Sequence, residues 1–226
     1  MNLLAVDTVG AVLSVAVARD DKIQYIETEA GMRHSELVMD YIDSQMKKAS
    51  LIPSDLDAVL CMGGPGSFTG LRIGFSIAKG LALSLSIPFY PIPTLDCIAL
   101  PYLQCSDPAL PVIEARKNAF FFTLFRNGQR VIPDTDASTS ELIEVIRSNL
   151  KEGEKIIIPG TAATILHALP EELKPRVEIV HESRGFAKEL IAIARNKGIL
   201  HNDGTVYLYS GPDYIRETDA EMNLRP

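Results

Sequence analysis

Apolar and polar positions follow two rhythms along the first 105 residues. Leu3–Val6 is a short apolar run, and Ala11–Ala18 and Lys22–Glu29 are β-rich segments. Thr8-Val9-Gly10 and Arg19-Asp20-Asp21 separate them and are short enough for hairpin turns, so the three segments predict an antiparallel meander. From about His34 to Ala49 the spacing changes to that of a helix. Leu37, Val38, Tyr41, Ile42 and Met46 share one face, and Glu36, Asp40, Asp43 and Lys47 share the other. Ala58–Met62 reads as a strand that Gly63-Gly64-Pro65-Gly66 ends. A helix over Thr69–Ser86, a strand over Phe89–Ile92 and a short helix over Thr94–Leu103 complete the order β-β-β-α-β-α-β-α.

The second half repeats that order. Leu110–Ala115, Ala119–Phe125 and Gln129–Ile132 are strand candidates, with Asn127-Gly128 a strong hairpin signal. Ser138–Leu150 reads as a helix with Ser138 or Ser140 at its cap, followed by a strand over Lys155–Ile158 that ends at Pro159-Gly160. Thr161–Leu169 is helical, Arg176–Val180 extended, and Phe186–Lys197 helical with Gly198 beyond it. Thr205–Tyr209 reads as extended, and Gly211-Pro212 as a turn. The expected organisation is therefore a duplicated α/β unit, divided as 1–105 and 106–226. No residue-level repeat links the halves, so the duplication rests on element order.

Composition narrows the function classes. Lys and Arg total 22 against 29 Asp and Glu, a net charge of −7 spread over both halves. That lacks the overall basic field expected of a protein that binds phosphate backbones directly. Cys61, Cys97 and Cys105 form no C-x-x-C pair, and with no signal-peptide pattern they read as reduced thiols of a cytoplasmic protein. The longest apolar stretch, Leu71–Tyr90, is interrupted by Arg72, Lys79 and serines, so no membrane span is expected.

Candidate chemistry concentrates at Gly63–Gly74, between a strand and a helix. Glycines there can free backbone N–H groups for an anion, which makes Gly64 and Gly66 candidate phosphate contacts. The loop lacks the Gly-Lys-Ser/Thr ending of a Walker loop, and a tight turn with Ser67 or Thr69 capping the helix is an equal reading. Asp7 and Thr8 end the first strand, where an acidic group can position metal-bound phosphate or simply cap its own turn. Arg116-Lys117 reads as a solvated turn. The four histidines, His34, His167, His181 and His201, form no metal-binding pair, and no activated serine motif occurs.

The helix after the loop is apolar around its whole circumference and needs cover on every side. Gly70, Gly74, Ala78 and Ala82 fall four apart in a stripe that lets another helix approach closely. A protein–protein interface is the favoured reading, against a helix sandwiched within one chain. Its expected residues are Met32, His34, Val38, Met39, Ile42 and Met46 in and before the first helix. Gly70, Gly74, Ile77, Ala78, Leu81 and Ala82 complete it from the second.

GGPGSFTGLRIG, over Gly63–Gly74, resembles the loop of the bacterial TsaB (YeaZ) family. Leu4-Ala5-Val6-Asp7-Thr8 with Ser14-Val15-Ala16, Arg33-His34-Ser35, Pro93-Thr94-Leu95 and Pro212-Asp213-Tyr214-Ile215-Arg216 add to the resemblance. It implies a duplicated two-lobed actin-like ATPase fold (ribonuclease H-like, the ASKHA class). It also implies a role in making threonylcarbamoyladenosine at position 37 of tRNA, as a non-catalytic scaffold. The expected partners are a TsaD-like catalytic paralogue, docked on the two N-terminal helices, a TsaE-like ATPase, and a second copy when the chain is alone. tRNA is reached indirectly. Asp7-Thr8-Val9-Gly10 is a degenerate form of the phosphate loop of active relatives, and Pro159-Gly160-Thr161 is the nearest approach to an adenosine motif. No intrinsic cofactor is therefore expected, with ATP or ADP possible only at a complex interface. Peptidase activity is rejected; a small-molecule kinase or nucleotide-binding module of the same fold is the competing reading.

Overall fold

The computed structural model describes residues 1–115, 118–201 and 203–215. In chain order it contains β1 (Asn2–Asp7), β2 (Val12–Arg19), β3 (Lys22–Glu29), α1 (His34–Lys48), β4 (Ala58–Gly64), α2 (Phe68–Leu85), β5 (Phe89–Pro93) and α3 (Thr94–Ala99). β6 (Val112–Ala115), β7 (Ala119–Arg126), β8 (Gln129–Ser138), α4 (Thr139–Asn149), β9 (Ile156–Gly160), α5 (Ala163–Ala168), β10 (Val177–His181) and α6 (Ala187–Asn196) follow. Two compact units result. One joins Met1–Leu100 to Ser183–Pro212, and the other is built on Pro101–Glu182.

The first unit holds a five-stranded sheet in the order β3-β2-β1-β4-β5, antiparallel across β1, β2 and β3 and parallel across β1, β4 and β5. β1 and β4 lie inside the sheet and are covered on both faces, which is why they read as unbroken apolar runs. The period of two divides their side chains. Leu4, Val6, Val15, Val17, Val59 and Cys61 face α1 and α2, and pack on Val38, Ile42, Met46 and Phe75. The alternate positions in β1 and β2 include Ala5, Ala16 and Ala18, small side chains that allow α6 to lie close against those strands. Asp20, at φ 49°, makes the two-residue turn between Arg19 and Lys22.

The second unit has the order β10-β9-β6-β7-β8. Counted from its own first strand, that is the order of the first unit, so the duplication expected from element order is present in the strand pairing. Asn127 and Gly128 both take positive φ, as a tight hairpin turn between β7 and β8 requires. Ser138 and Glu141 form a reciprocal capping box at the start of α4. Leu110, Val112, Phe122, Leu142, Ile146, Ile156 and Ile158 form its core.

Three expectations change. The chain does not stay in the second unit after residue 106. It returns to the first at Ser183, because α6 buries Ala187, Leu190, Ile191, Ile193 and Ala194 and lies against β1, β2 and β4. Thr205–Tyr209 is part of a 3-10 segment, Gly204–Tyr209, and not extended, with Asp203 accepting the Thr205 N–H at its start. The helix from Thr94 ends at Ala99, and Leu100–Tyr102, which contains Pro101, is a 3-10 turn.

The stripe Gly70, Gly74, Ala78 and Ala82 is buried inside the first unit, and this corrects its assignment to a partner interface. The stripe is the side of α2 that touches the sheet and the β1–β2 turn. The Thr8 hydroxyl donates to the Gly70 carbonyl at 2.7 Å, and a Cβ on Gly74 would come within 2.8 Å of that hydroxyl. Gly70→Ala drives its new methyl into the Thr8 carbonyl oxygen and is expected to cost about 2–4 kcal/mol in chemical denaturation. Ala78→Glu buries a lone carboxylate and is expected to unfold the first unit, read as loss of the cooperative circular-dichroism transition.

Candidate functional site

Two places concentrate the sequence candidates, and the glycine-rich loop is the first. Gly64 and Gly66 have φ of 116° and 155°, and the Val9 side chain stands where a Cβ of Gly66 would be. Gly63 lies against the backbone of Ile92, where a Cβ would be 3.2 Å from the carbonyl oxygen. Ser67 caps α2 by accepting the Gly70 N–H at 3.2 Å. Close packing and a helix cap therefore account for the glycines. Pro159-Gly160 behaves alike. Gly160 ends β9 at φ 118° with the Val112 carbonyl in its Cβ position, and the Thr161 hydroxyl accepts the Glu114 N–H at 2.7 Å.

Beside this loop, Asp7 is buried at the end of β1. Its Oδ1 accepts the Val9 N–H at 3.0 Å, and its Oδ2 accepts the Phe186 N–H at 2.9 Å. Burial pushes its carboxyl up to about 6, opposed by those two N–H groups and aided by the Glu189 and Glu27 carboxylates. Ser14 and Glu27 continue the line: Ala187 donates to Ser14 Oγ at 3.0 Å, and Gly185 to Glu27 at 2.8 Å. Tyr25 also donates to Glu27, at 2.6 Å. Sequence reasoning missed Phe186 as a partner of Asp7, and with it the neighbouring contacts of Glu27 with Gly185 and of Ser14 with Ala187; the one available signal was a hydroxyl inside the otherwise apolar β2.

The raised pKa has a sign that can be measured. Asp7 contributes stability below its ordinary carboxyl range, near 3.8, and loses it as pH rises through about 6. Wild type should therefore gain about 1 kcal/mol on Asp7→Asn when pH falls from about 7.5 to about 5, in paired urea titrations.

The second place is the outer side of α1 and α2. Val38, Ile42 and Met46 point into the core, His34 is buried, and all four leave the set of partner contacts. Met32 is 98% exposed and Met39 is 48% exposed. Ile77 and Leu81 are half-buried and pack, with Leu37 and Tyr41, on the edge of the core cluster. Leu37 and Tyr41 are four apart on one flank of α1; Ile73, Ile77 and Leu81 make the same row on α2, and Ile73 too is half-buried. Met39, two residues from both Leu37 and Tyr41, belongs to the other flank of α1. Glu36, Asp40 and the ion pair Asp43–Lys47 are exposed along α1. Sequence reading did not set Leu37, Tyr41 and Ile73 apart from the buried positions of the same helices. Which turn of each helix meets the sheet separates them from the core set, and periodicity leaves that open.

Among the described residues no group of three His, Cys, Asp or Glu side chains could hold a metal ion, and no helix is long and apolar enough to cross a membrane. Cys61 and Cys97 are buried, and burial pushes both thiols up. Arg116, Lys117 and Arg216 lie outside the described residues.

Residues 26–170 match the family model of TsaD, tRNA N6-adenosine threonylcarbamoyltransferase. The tRNA threonylcarbamoyladenosine biosynthesis protein TsaB of Bacillus subtilis is 30% identical over 98% of this chain and 96% of its own length. TsaB of Escherichia coli is 32% identical over 44% of this chain and 43% of that relative. Among solved structures, YeaZ from Pseudomonas aeruginosa superposes with a TM-score of 0.77 at 20% identity, covering 94% of this chain and 99% of that one. A second Pseudomonas aeruginosa structure, described as similar to peptidase YEAZ, gives 0.78 at 19% identity over 95% and 99%. The duplicated strand order is thus that of the actin-like fold, and the full-length match to a curated relative shows that this chain belongs to the TsaB (YeaZ) family.

Proposed function

We infer that this chain serves the biosynthesis of threonylcarbamoyladenosine in tRNA, in the cytoplasm, as a subunit that carries none of the chemistry itself. It docks on a TsaD-like catalytic paralogue through the flanks of α1 and α2, works alongside a TsaE-like ATPase, and meets tRNA through the assembly. The family supports the pathway. The observation that carries the docking role is the half-buried row Leu37, Tyr41, Ile73, Ile77 and Leu81 on neighbouring helices. Leu37, Tyr41, Ile77 and Leu81 pack on the edge of the core, Ile73 continues their row, and a second apolar surface would remove their remaining exposed area from water.

The absence of chemistry is argued from residue types. The four histidines form no paired metal-binding motif, and no activated serine motif occurs in the sequence. An acidic chain of net charge −7 also suits a scaffold better than a principal tRNA binder. The same row closes a homodimer when the paralogue is away, so self-association and mixed association compete for one surface.

Sedimentation velocity of the chain alone and with its TsaD-like paralogue tests this. The self-dimer is expected to give way to a mixed complex, and Ile77→Asp to weaken both roughly tenfold or more while the circular-dichroism melt stays cooperative. A chain that stays monomeric and ignores the paralogue overturns the docking role.

A further inference from the structure

Three successive backbone N–H groups open the segment that returns to the first unit, and each ends on a different strand. Gly185 donates to Glu27 on β3, Phe186 to Asp7 on β1, and Ala187 to Ser14 on β2. Asp7 pairs opposite Ser14, and Ser14 opposite Glu27, so the acceptors form one straight row across the sheet. α6 has no side-chain cap from its own first residues. The row supplies one, satisfying N–H groups that a helix start leaves orphaned and setting two carboxylates at the positive end of its dipole. The contact is close, since a Cβ on Gly185 would collide with the Ser14 side chain.

Active members of the actin-like fold use the β1–β2 turn and its acidic residue for phosphate and metal. The residues here do not fit that group. Asp7 is 2% exposed, and each of its oxygens already accepts a backbone N–H. The Val9 N–H, which a phosphate would need, is committed to Asp7, and Gly66 and Gly70 press on Val9 and Thr8 from the other side.

We propose that the entry to α6, Gly185–Ala187, is a built-in occupant of the place this fold elsewhere offers to phosphate: Asp7, Ser14 and Glu27 anchor the chain's return segment, and the first unit takes no nucleotide through its β1–β2 turn. The proposal stands apart from the docking role, because α1 and α2 cover the opposite face of the sheet. It makes Asp7 a structural anchor, and its loss a defect of α6 rather than of ligand binding.

The test uses the full chain. Calorimetric titration with MgATP and with MgADP is expected to give no saturable heat in wild type or in Asp7→Asn. Hydrogen exchange followed by mass spectrometry is expected to show the amides of Phe186 and the first turn of α6 exchanging roughly tenfold faster, or more, in Asp7→Asn. Should that variant fail to fold, Glu27→Ala, at the exposed end of the row, carries the test: faster exchange at Gly185 with the melt intact. MgATP binding that Asp7→Asn abolishes would overturn the proposal. So would unchanged protection at the start of α6 in Asp7→Asn together with unchanged exchange at Gly185 in Glu27→Ala.

Discussion

A buried carboxylate with a backbone N–H on each oxygen is the constraint around which the first unit closes. Asp7 sits at the end of the central strand, and its partners come from the adjacent turn and from a segment that the chain reaches only after completing another unit. Unpaired, the Asp7 carboxylate would carry a large desolvation cost, and unpaired N–H groups at the start of α6 a similar one. Each therefore holds the other in place. Ser14 and Glu27 extend the arrangement to the edge of the sheet, and Lys197 with Asp96 ties the far end of α6 to α3. The small side chains Ala5, Ala16 and Ala18 make room for the helix that this network orients.

The opposite face of the same sheet follows a different logic. There the glycines and alanines of α2 bring its backbone against Thr8, while larger side chains of α1 fill the remaining space. Because α2 spends its small residues on the sheet, its apolar character at Ile73, Ile77 and Leu81 is carried by flanks that the sheet does not cover. Those flanks, like Leu37 and Tyr41 on α1, are half-buried. A helix apolar on all sides thus has two kinds of surface: one closely packed inside the unit, the other half-buried on its flanks.

Much of this is legible in the sequence. The rhythm of two then 3.6 located β1 to β5, α1 and α2 within a few residues, and Asn127-Gly128 marked a hairpin because few residues adopt two successive positive φ values. The long motif Gly63–Gly74 pointed to the family, and the curated relative matched over nearly the whole chain bears it out. The small stripe was legible as a close contact but not as a contact with the sheet. Spacing shows that a face must be approached, and says nothing about which body approaches it.

Local periodicity and turn chemistry, which act between residues a few positions apart, determined the elements, their order and the doubling of one α/β plan. What only the tertiary structure decided were pairings across 158 to 179 positions: Gly185 on Glu27, Ala187 on Ser14 and Phe186 on Asp7. An aspartate that ends a strand looks the same in sequence whether it awaits a metal or caps a distant helix. The difference lies in which donor arrives, and that depends on where the whole chain has carried α6.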